Sequence, residues 1–219
     1  MLVFSYGVPK SGSTLAFQIA RAAAIVGGHP QRLLPPPLRS PGHKVNFQQS
    51  LEPELLWRLA ARVGERILIL KTHDAPRPDW VEAYRDLAAR GQAAAIVNHR
   101  DPRDICLSLC DAGRAARVRD YLTELEAWRG LPRLLELRYE VCAFRMDDAI
   151  AAIKMHLGLR GPAWPVRVYA GRVAFTHRNK AVPERHVAEL GAAERGSLDV
   201  AFAPYLDAMG YRRLTPSAP

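Results

Sequence analysis

A short segment near the amino terminus has the composition of a phosphate-binding loop. From Gly7 to Thr14 it reads Gly-Val-Pro-Lys-Ser-Gly-Ser-Thr. In an ATP-binding loop of the form G-x-x-x-x-G-K-[S/T], the lysine after the second glycine reaches the β and γ phosphates, and the next hydroxyl holds Mg²⁺. Here the lysine is Lys10, before Gly12, and Ser13 stands where that lysine is expected. The displaced lysine indicates an anion other than a triphosphate tail.

The flanking sequence predicts a strand before this loop and a helix after it. Residues 2–6 form an apolar and aromatic run, and apolar residues at helical spacing continue to about Val26, before Gly27 and Gly28. The N–H groups of residues 11–14 would then lie at a helix N-terminus, where the dipole favours an anion. The alternative is an ordinary serine- or threonine-capped helix that follows a turn.

Strand-like and helical segments alternate along the chain, which is typical of a parallel sheet. The predicted strands are 2–6, 66–70, 93–97 and 134–139. The predicted helices after the first are 50–63, 80–90, 117–128, 146–157 and much of 184–208. Asp79 is predicted to cap one helix and Pro102 to open another. We therefore predict an α/β fold, a three-layer sandwich with a central parallel sheet and a P-loop-like anion-binding loop.

A proline-rich, basic stretch over about 27–49 is predicted to be a loop or lid. It follows the first helix directly, so we expect it to border the acceptor side of the site. The alternative is a polyproline II segment that docks on an aromatic groove of a partner. No boundary between independent halves is visible, and we expect one domain over residues 1–219.

Composition restricts the classes of partner and compartment. The net charge of +9 favours an anionic partner: nucleic acid, an acidic membrane surface or a small ligand with several phosphates. The alternative is that the excess arginine residues simply lie on solvated faces of the protein. No apolar run approaches the ~18 residues of a membrane span, and a strand that starts at residue 2 leaves no room for a secretory signal. The cysteines form no C-x-x-C pair, which fits reduced thiols. We expect a cytoplasmic protein without a transmembrane segment.

Polar residues follow the other predicted strands at their carboxyl ends, where an open parallel sheet binds its ligands. These segments are Lys71-Thr72-His73, residues 98–104, and Arg138-Tyr139-Glu140. All of them are predicted to converge on the loop at Lys10.

At these residues the chain resembles the PAPS-dependent sulfotransferases. That family transfers a sulfuryl group from 3′-phosphoadenosine 5′-phosphosulfate (PAPS) to a hydroxyl or amine and releases adenosine 3′,5′-bisphosphate (PAP). Residues 9–14 are similar to its 5′-phosphosulfate loop, and residues 71–73 to its Lys-Thr-His segment. Arg100 and Ser108 are similar to its 3′-phosphate ligands, and Tyr139 to a tyrosine near the adenine. The resemblance implies cofactor binding by Pro9, Lys10, Ser11, Gly12, Ser13, Thr14, Arg100, Ser108 and Tyr139.

The resemblance is weaker in the C-terminal third. Arg178-Asn179-Lys180, followed by Pro183-Glu184-Arg185, is similar to an Arg-Lys-Gly segment and a later Gly-Asp-Trp that close over the cofactor. Lys180 replaces the glycine and Arg185 replaces the tryptophan. We still expect Arg178, Asn179 and Lys180 to contact the cofactor. The chain is short for a cytosolic eukaryotic member, so we expect a small bacterial one whose acceptor pocket uses fewer or different loops.

The predicted chemistry explains these residue types. Sulfuryl transfer resembles phosphoryl transfer, in which charge builds on the oxygen left behind, and fixed cations stabilise that charge. Lys10 and Lys71 would serve this role without a metal, because a sulfuryl group carries fewer charges than a γ-phosphoryl. His73 is the candidate general base. The alternative for His73 is a cap or core histidine, as we expect for His99, His156 and His177.

The other site residues also have structural alternatives. Arg100 could pair with Asp104, Asp101 could cap the helix opened by Pro102, and core packing competes with adenine contact at Tyr139.

Sequence therefore predicts a PAPS-dependent sulfotransferase that acts on a small-molecule, sugar or lipid acceptor, with no metal and no nucleic-acid partner. One alternative is a P-loop small-molecule kinase, which would need Mg²⁺ and a lysine after Gly12. Another is a non-catalytic nucleotide- or RNA-binding protein, against which the unclustered 8% of aromatic residues argues. The acceptor and the oligomeric state stay open.

Overall fold

The computed structural model describes residues 1–109, 113–175, 182 and 184–211, without the side chains of 173–175. In this part of the chain, no helix is both long enough and apolar enough to cross a membrane.

Five parallel strands form the central sheet of the described residues, in the order β2-β3-β1-β4-β5. β1 occupies the middle, and all of its residues are buried, as expected of a strand covered on both faces. Its register places Phe4 between Leu70 of β3 and Ala95 of β4. The strands are β1 Leu2–Gly7, β2 Phe47–Gln48, β3 Leu68–Thr72, β4 Ala93–His99 and β5 Leu134–Arg138.

Helices connect the strands and cover both faces of the sheet. The first half contains α1 Ser13–Val26, α2 Pro53–Val63, α3 Pro78–Ala89, α4 Pro102–Leu109 and α5 Arg114–Arg129. The second half contains α6 Tyr139–Phe144, α7 Met146–Leu157, α8 Trp164–Phe175, α9 Arg185–Glu189, α10 Ala192–Ala201 and α11 Ala203–Ala208.

Alternation along β1 divides the apolar core into two layers. Leu2, Phe4 and Tyr6 face the layer of α2, α3, α4 and α5, where the ring of Phe4 lies 5.0 Å from Trp80 in an edge-on contact. Val3 faces the opposite layer, in which α1 packs against α7 and α8. The predicted three-layer α/β sandwich with a parallel sheet is confirmed.

The connections on either side of the β1–β4 pair run over opposite faces of the sheet. α1 follows β1 on one face, while α4 and α5 follow β4 on the other. The crevice between the carboxyl ends of β1 and β4 is therefore a topological switch point, where open α/β sheets bind their ligands.

Most predicted elements are present, with shifted ends. β3 starts two residues after the predicted start at Arg66 and runs through Thr72. Asp79 is not the N-cap of α3, because Pro78 already takes a first helical position, and Arg77 precedes it. The Asp79 carboxylate instead accepts a hydrogen bond from the Trp80 N–H at 2.9 Å.

Three elements were not predicted: β2, α6 and α8. β2 lies inside the predicted 27–49 loop, which is otherwise without helix or strand. Tyr139 begins α6 and does not end β5. α8 lies between the predicted helices 146–157 and 184–208, in a segment to which the sequence analysis assigned no element. Cys106 and Cys142 are buried, while Cys110 lies outside the described residues.

Gly7 has no room for a side chain, which supplies a test of the fold. A Cβ built there would lie 2.4 Å from the Ser13 Cβ and 3.0 Å from its Cα. We expect Gly7→Ala to destabilise the protein by about 1–3 kcal/mol, because β1 and α1 must move apart. The shift in the urea unfolding midpoint measures this change.

Gly196→Ala is the matched control, since a Cβ at this position in α10 would meet no atom within 4 Å. In a helix interior this change should stabilise the protein by about 0.5–1 kcal/mol. An unchanged midpoint for Gly7→Ala would show that β1 and α1 do not meet as described.

Candidate active site

The loop between β1 and α1 is fastened to β4 across the switch point. Ser11 is fully buried, and its hydroxyl donates a hydrogen bond to the Asn98 Oδ1 at 2.9 Å. The Ser11 N–H donates to the carbonyl of Val8 at 3.0 Å, which closes the turn. Ser11 thus anchors the loop, while Ser13 begins α1 as the geometry of an anion-binding helix start requires.

Gly12 is required by both its backbone and its neighbour. Its φ of 80° lies in the left-handed region, and a Cβ on it would come within 2.5 Å of the Tyr139 ring. Tyr139 is 7% exposed and also lies under the Arg100 guanidinium, 4.3 Å from its ring centroid. Tyr139 therefore connects the loop to Arg100, the predicted ligand at the end of β4.

Lys10 and Pro9 occupy the outer turn of the loop. Lys10 is exposed and has a φ of 69°, a left-handed conformation that is uncommon for a residue with a Cβ. Within the described residues, its ammonium forms no ion pair with a carboxylate. The side chain is available to a ligand in front of the loop.

Lys71 is a partly buried cation at the end of β3. Its ammonium donates a hydrogen bond to the Thr14 hydroxyl at 2.9 Å, which brings two predicted site residues together. Burial lowers the pKa of Lys71 to about 8. No carboxylate of the described residues pairs with it, so nothing there offsets the loss of hydration.

His73 is held in one tautomer at the same edge of the sheet. Its Nδ1 lies 2.8 Å from the carbonyl oxygen of Gly7, which can only accept, so Nδ1 carries the hydrogen and Nε2 is left as an acceptor. Burial, and then the charge of Lys71, lowers the pKa of His73 to about 4, although the bond to Gly7 acts in the opposite direction. The ring is neutral at pH 7 and has a lone pair for a proton.

The far end of the 27–49 segment borders His73. The ring of Phe47 lies 5.6 Å from the His73 ring, and His43 stacks on Phe47 at 4.2 Å. The beginning of the segment lies elsewhere, since residues 30–35 line a cavity of about 210 Å³ with residues 62–68 at the start of β3.

Asp104 organises the corner at the end of β4. It is fully buried, and its Oδ2 accepts a hydrogen bond from Arg100 Nη2 at 2.9 Å. Its Oδ1 accepts from both the backbone N–H and the Nδ1–H of His186, each at 2.9 Å. Burial acts to raise the pKa of Asp104, but the bonds from His186 and the charge of Arg100 hold it below its usual value. The carboxylate therefore fixes Arg100 and fastens α9 to α4.

The pairing of Arg100 with Asp104 was one of the alternatives that the sequence left open. This pair does not use all of the guanidinium, because the Arg100 Nε is buried and has no partner among the described residues. Asp101 accepts from the Arg103 N–H at 2.9 Å, as expected of a residue at the start of α4, and also pairs with the Arg103 side chain.

Ser108 lies one turn after Asp104 on α4. Its hydroxyl donates to the Asp104 carbonyl at 3.0 Å, and Arg185 Nη1 lies 3.4 Å away from it. Sequence reasoning missed His186, which has no local signal, and it assigned Arg185 no role, because the only signal of Arg185 was a departure from the family pattern. Arg178, Asn179 and Lys180 lie outside the described residues, and their roles stay predictions.

The sequence analysis expected structural roles for three further histidines, His99, His156 and His177. The His99 ring is 2% exposed, and its Nδ1 lies 2.9 Å from the Tyr211 hydroxyl; burial lowers the pKa of His99 to about 3. His156 Nε2 lies 3.2 Å from the Ala95 carbonyl oxygen. Both are placed as core or backbone-binding histidines, while His177 lies outside the described residues.

In the described part of the chain, no group of three histidine, cysteine, aspartate or glutamate side chains is placed to hold a metal ion. The site residues instead form one continuous edge, from His73 and Lys71 through the β1–α1 loop and Tyr139 to Arg100 and Ser108.

Known proteins are similar to this chain in structure but not detectably in sequence. The sequence matches no protein-family profile and no curated protein. The structure is similar to retinol dehydratase in complex with retinol and PAP, with a TM-score of 0.57, 14% identity, and coverage of 98% of this chain and 83% of that one. For retinol dehydratase with androsterone and the inactive cofactor PAP, the TM-score is 0.54 at 14% identity, over 99% of this chain and 82% of that one.

A third similar structure is the mouse sulfotransferase SULT7A1 complexed with PAP, with a TM-score of 0.58, 14% identity, and coverage of 93% of this chain and 83% of that one. At this level of identity the similarity establishes a shared fold. The chain has the three-layer α/β fold of proteins that were crystallised with PAP, among them a sulfotransferase.

Proposed function

We propose that the protein is a PAPS-dependent sulfotransferase that transfers a sulfuryl group to a hydroxyl of a small-molecule acceptor. The observation that carries this proposal is the Lys71 ammonium, which is desolvated, unpaired with a described carboxylate, and 2.9 Å from the Thr14 hydroxyl of the predicted phosphosulfate loop. A cation in such a setting favours an anionic ligand. The shared fold with PAP-bound proteins supports the same choice.

The donor set fits a nucleotide with phosphates at both ends. The loop of residues 9–14 and Lys71 would hold the 5′-phosphosulfate, since helix N-terminal amides and an ammonium both favour a negative group. Arg100 and Ser108 would hold the 3′-phosphate. The buried, unpartnered Arg100 Nε supports this assignment, because such a donor gains a partner when an anion binds.

PAPS supplies an activated sulfuryl group, whose transfer leaves negative charge on a 5′-phosphate oxygen. Lys71, Lys10 and the loop amides would stabilise that charge from fixed positions, which is the main way that such sites lower a barrier. Thr14 orients Lys71 through its hydroxyl.

His73 would receive the proton of the acceptor hydroxyl at Nε2. The Gly7 carbonyl holds the Nδ1–H and so keeps Nε2 unprotonated. Phe47 and His43 border this side of the site and would contact the acceptor. That retinol and androsterone accompany PAP in two similar structures supports a small-molecule acceptor.

The first prediction concerns ligand class. PAP at 100 times its Kd should stabilise the folded protein by ~2.7 kcal/mol and raise its Tm by roughly 5–10 °C. Differential scanning fluorimetry with PAP, with ATP plus Mg²⁺ and with single-stranded RNA measures this. No shift with PAP, together with a Mg²⁺-dependent shift with ATP, would instead select a kinase.

A second prediction concerns the energetic state of Lys71. The folded pKa of about 8 lies below the ordinary 10.5, so the unfolded chain binds more protons between these values and stability rises with pH there. Replacing the unpaired ammonium in Lys71→Met should therefore stabilise the ligand-free protein at pH 7 by about 1–3 kcal/mol, and the gain should shrink toward pH 10.5.

Lys44→Met is the control, because Lys44 is exposed and its replacement should leave stability within about 0.5 kcal/mol. Urea unfolding of both variants at several pH values decides the matter. A loss of stability in Lys71→Met at pH 7 would mean that the ammonium is compensated in the ligand-free fold.

A third prediction concerns the base. His73→Ala should bind PAP with near wild-type affinity and lose roughly 10²–10⁴-fold in turnover, measured as PAP formed from PAPS with a panel of alcohols and phenols. His156→Gln, at a histidine outside the site, should keep its turnover.

The pH profile adds an independent readout. Since the pKa of His73 is about 4, the base is neutral at pH 5 and above, and kcat/KM should stay level from pH 5 to 7. A tenfold fall by about pH 5.5, as an ordinary histidine with a pKa of ~6.5 would give, would contradict the assignment.

A further inference from the structure

Arg185 is held in a single orientation beside Ser108, one of the two residues proposed to hold the 3′-phosphate. Its side chain is buried, with 7% of its surface exposed. Nε and Nη2 donate to the two carboxylate oxygens of Glu189, each at 2.8 Å. This forked pair leaves Nη1 directed toward the Ser108 hydroxyl, 3.4 Å away.

The carboxylate of Asp104 positions both Arg100 and the helix that carries Arg185. Asp104 binds Arg100 through Oδ2 and, through Oδ1, both the backbone N–H and the ring of His186. His186 directly follows Arg185, so α9 is fixed against α4 at the level of Ser108. The buried Arg185 guanidinium therefore lies beside the Ser108 hydroxyl, while the buried Arg100 guanidinium is bound to the carboxylate of Asp104 one turn earlier on α4. Each guanidinium has a carboxylate partner that makes its burial tolerable.

We propose that Arg185 is a binding residue for the 3′-phosphate and that it sets the preference for a nucleotide bisphosphate over a monophosphate. The inference rests on the proposed function and adds a ligand to it. A phosphate that accepts a hydrogen bond from the Ser108 hydroxyl would lie within reach of the Nη1 donors of Arg185. A charge-assisted bond from a guanidinium is among the stronger interactions available to a phosphate. The resembled family carries tryptophan here, so this contact belongs to the particular sequence of this chain.

The test compares two nucleotides that differ only in the 3′-phosphate. Isothermal titration of PAP and of AMP is performed on the wild type, Arg185→Met, Arg185→Lys and the control Arg195→Met. Met keeps the length and apolar packing of the arginine stem, and Arg195 is a neighbouring arginine of α10 that donates to the Val187 carbonyl.

We expect Arg185→Met to weaken PAP binding roughly tenfold or more and to leave AMP binding within twofold. Arg185→Lys should lose less, since it keeps the charge without the fork. Arg195→Met should leave both affinities unchanged. If Arg185→Met fails to fold, as judged by circular dichroism, Arg185→Lys carries the comparison.

Equal weakening of PAP and AMP would show a purely structural role for Arg185, and unchanged PAP binding would exclude the contact; either result overturns the inference. A wild-type protein that binds neither nucleotide would instead overturn the proposed function. The two failures are therefore distinct.

Discussion

The desolvated ammonium of Lys71 is the constraint around which the site is built. It lies at the carboxyl end of β3, bonded to Thr14, and no carboxylate of the described residues pairs with it. Burial lowers its pKa to about 8, so near neutral pH the ligand-free protein holds a cation that water solvates poorly. The proposed anionic ligand would relieve this cost and so couple the free energy of folding to binding. The same charge helps to keep His73 neutral and able to accept a proton.

The carboxyl end of β4 supports both ends of the proposed nucleotide site. Asn98 accepts from Ser11 and so fixes the loop at the 5′ end. Two residues later, Arg100 enters the corner that Asp104 organises at the 3′ end. Tyr139 bridges the two through Gly12 and the Arg100 guanidinium. Because both ends are fastened at the carboxyl end of β4, this strand sets the distance between them.

Local patterns in the sequence predicted the fold class and the edge of the sheet at which the candidate site lies. The apolar run before Gly7 and the polar residues after each strand predicted a parallel sheet with its ligands at the carboxyl ends, and the sheet is confirmed. Element ends were less predictable, because they depend on competition between neighbours: Pro78 moved the start of α3 ahead of Asp79. α8 carried no clear period, and it is held as a helix by packing of Val166 and Ala170 against the α1 layer.

Local sequence patterns could not predict the tertiary contacts around Asp104 and Ser108. His186 has no local signal, since its partner Asp104 is 82 residues away in sequence. Arg185 differs from the resembled family, and only its distance to Ser108 gives it a role. Residue types at strand ends predicted the candidate site, whereas the pairs that orient those residues are products of the whole fold.

Proton uptake on PAP binding tests the central claim most directly. Isothermal titration at pH 8, in two buffers with different ionisation enthalpies and with EDTA present, measures the protons taken up per ligand bound. Since the pKa of Lys71 is about 8, the ammonium is about half protonated in the free protein and should become fully protonated beside the bound anion. We predict an uptake approaching roughly half a proton, absent in Lys71→Arg, because arginine stays charged throughout this range. Binding without proton uptake, or binding abolished by EDTA, would contradict the account.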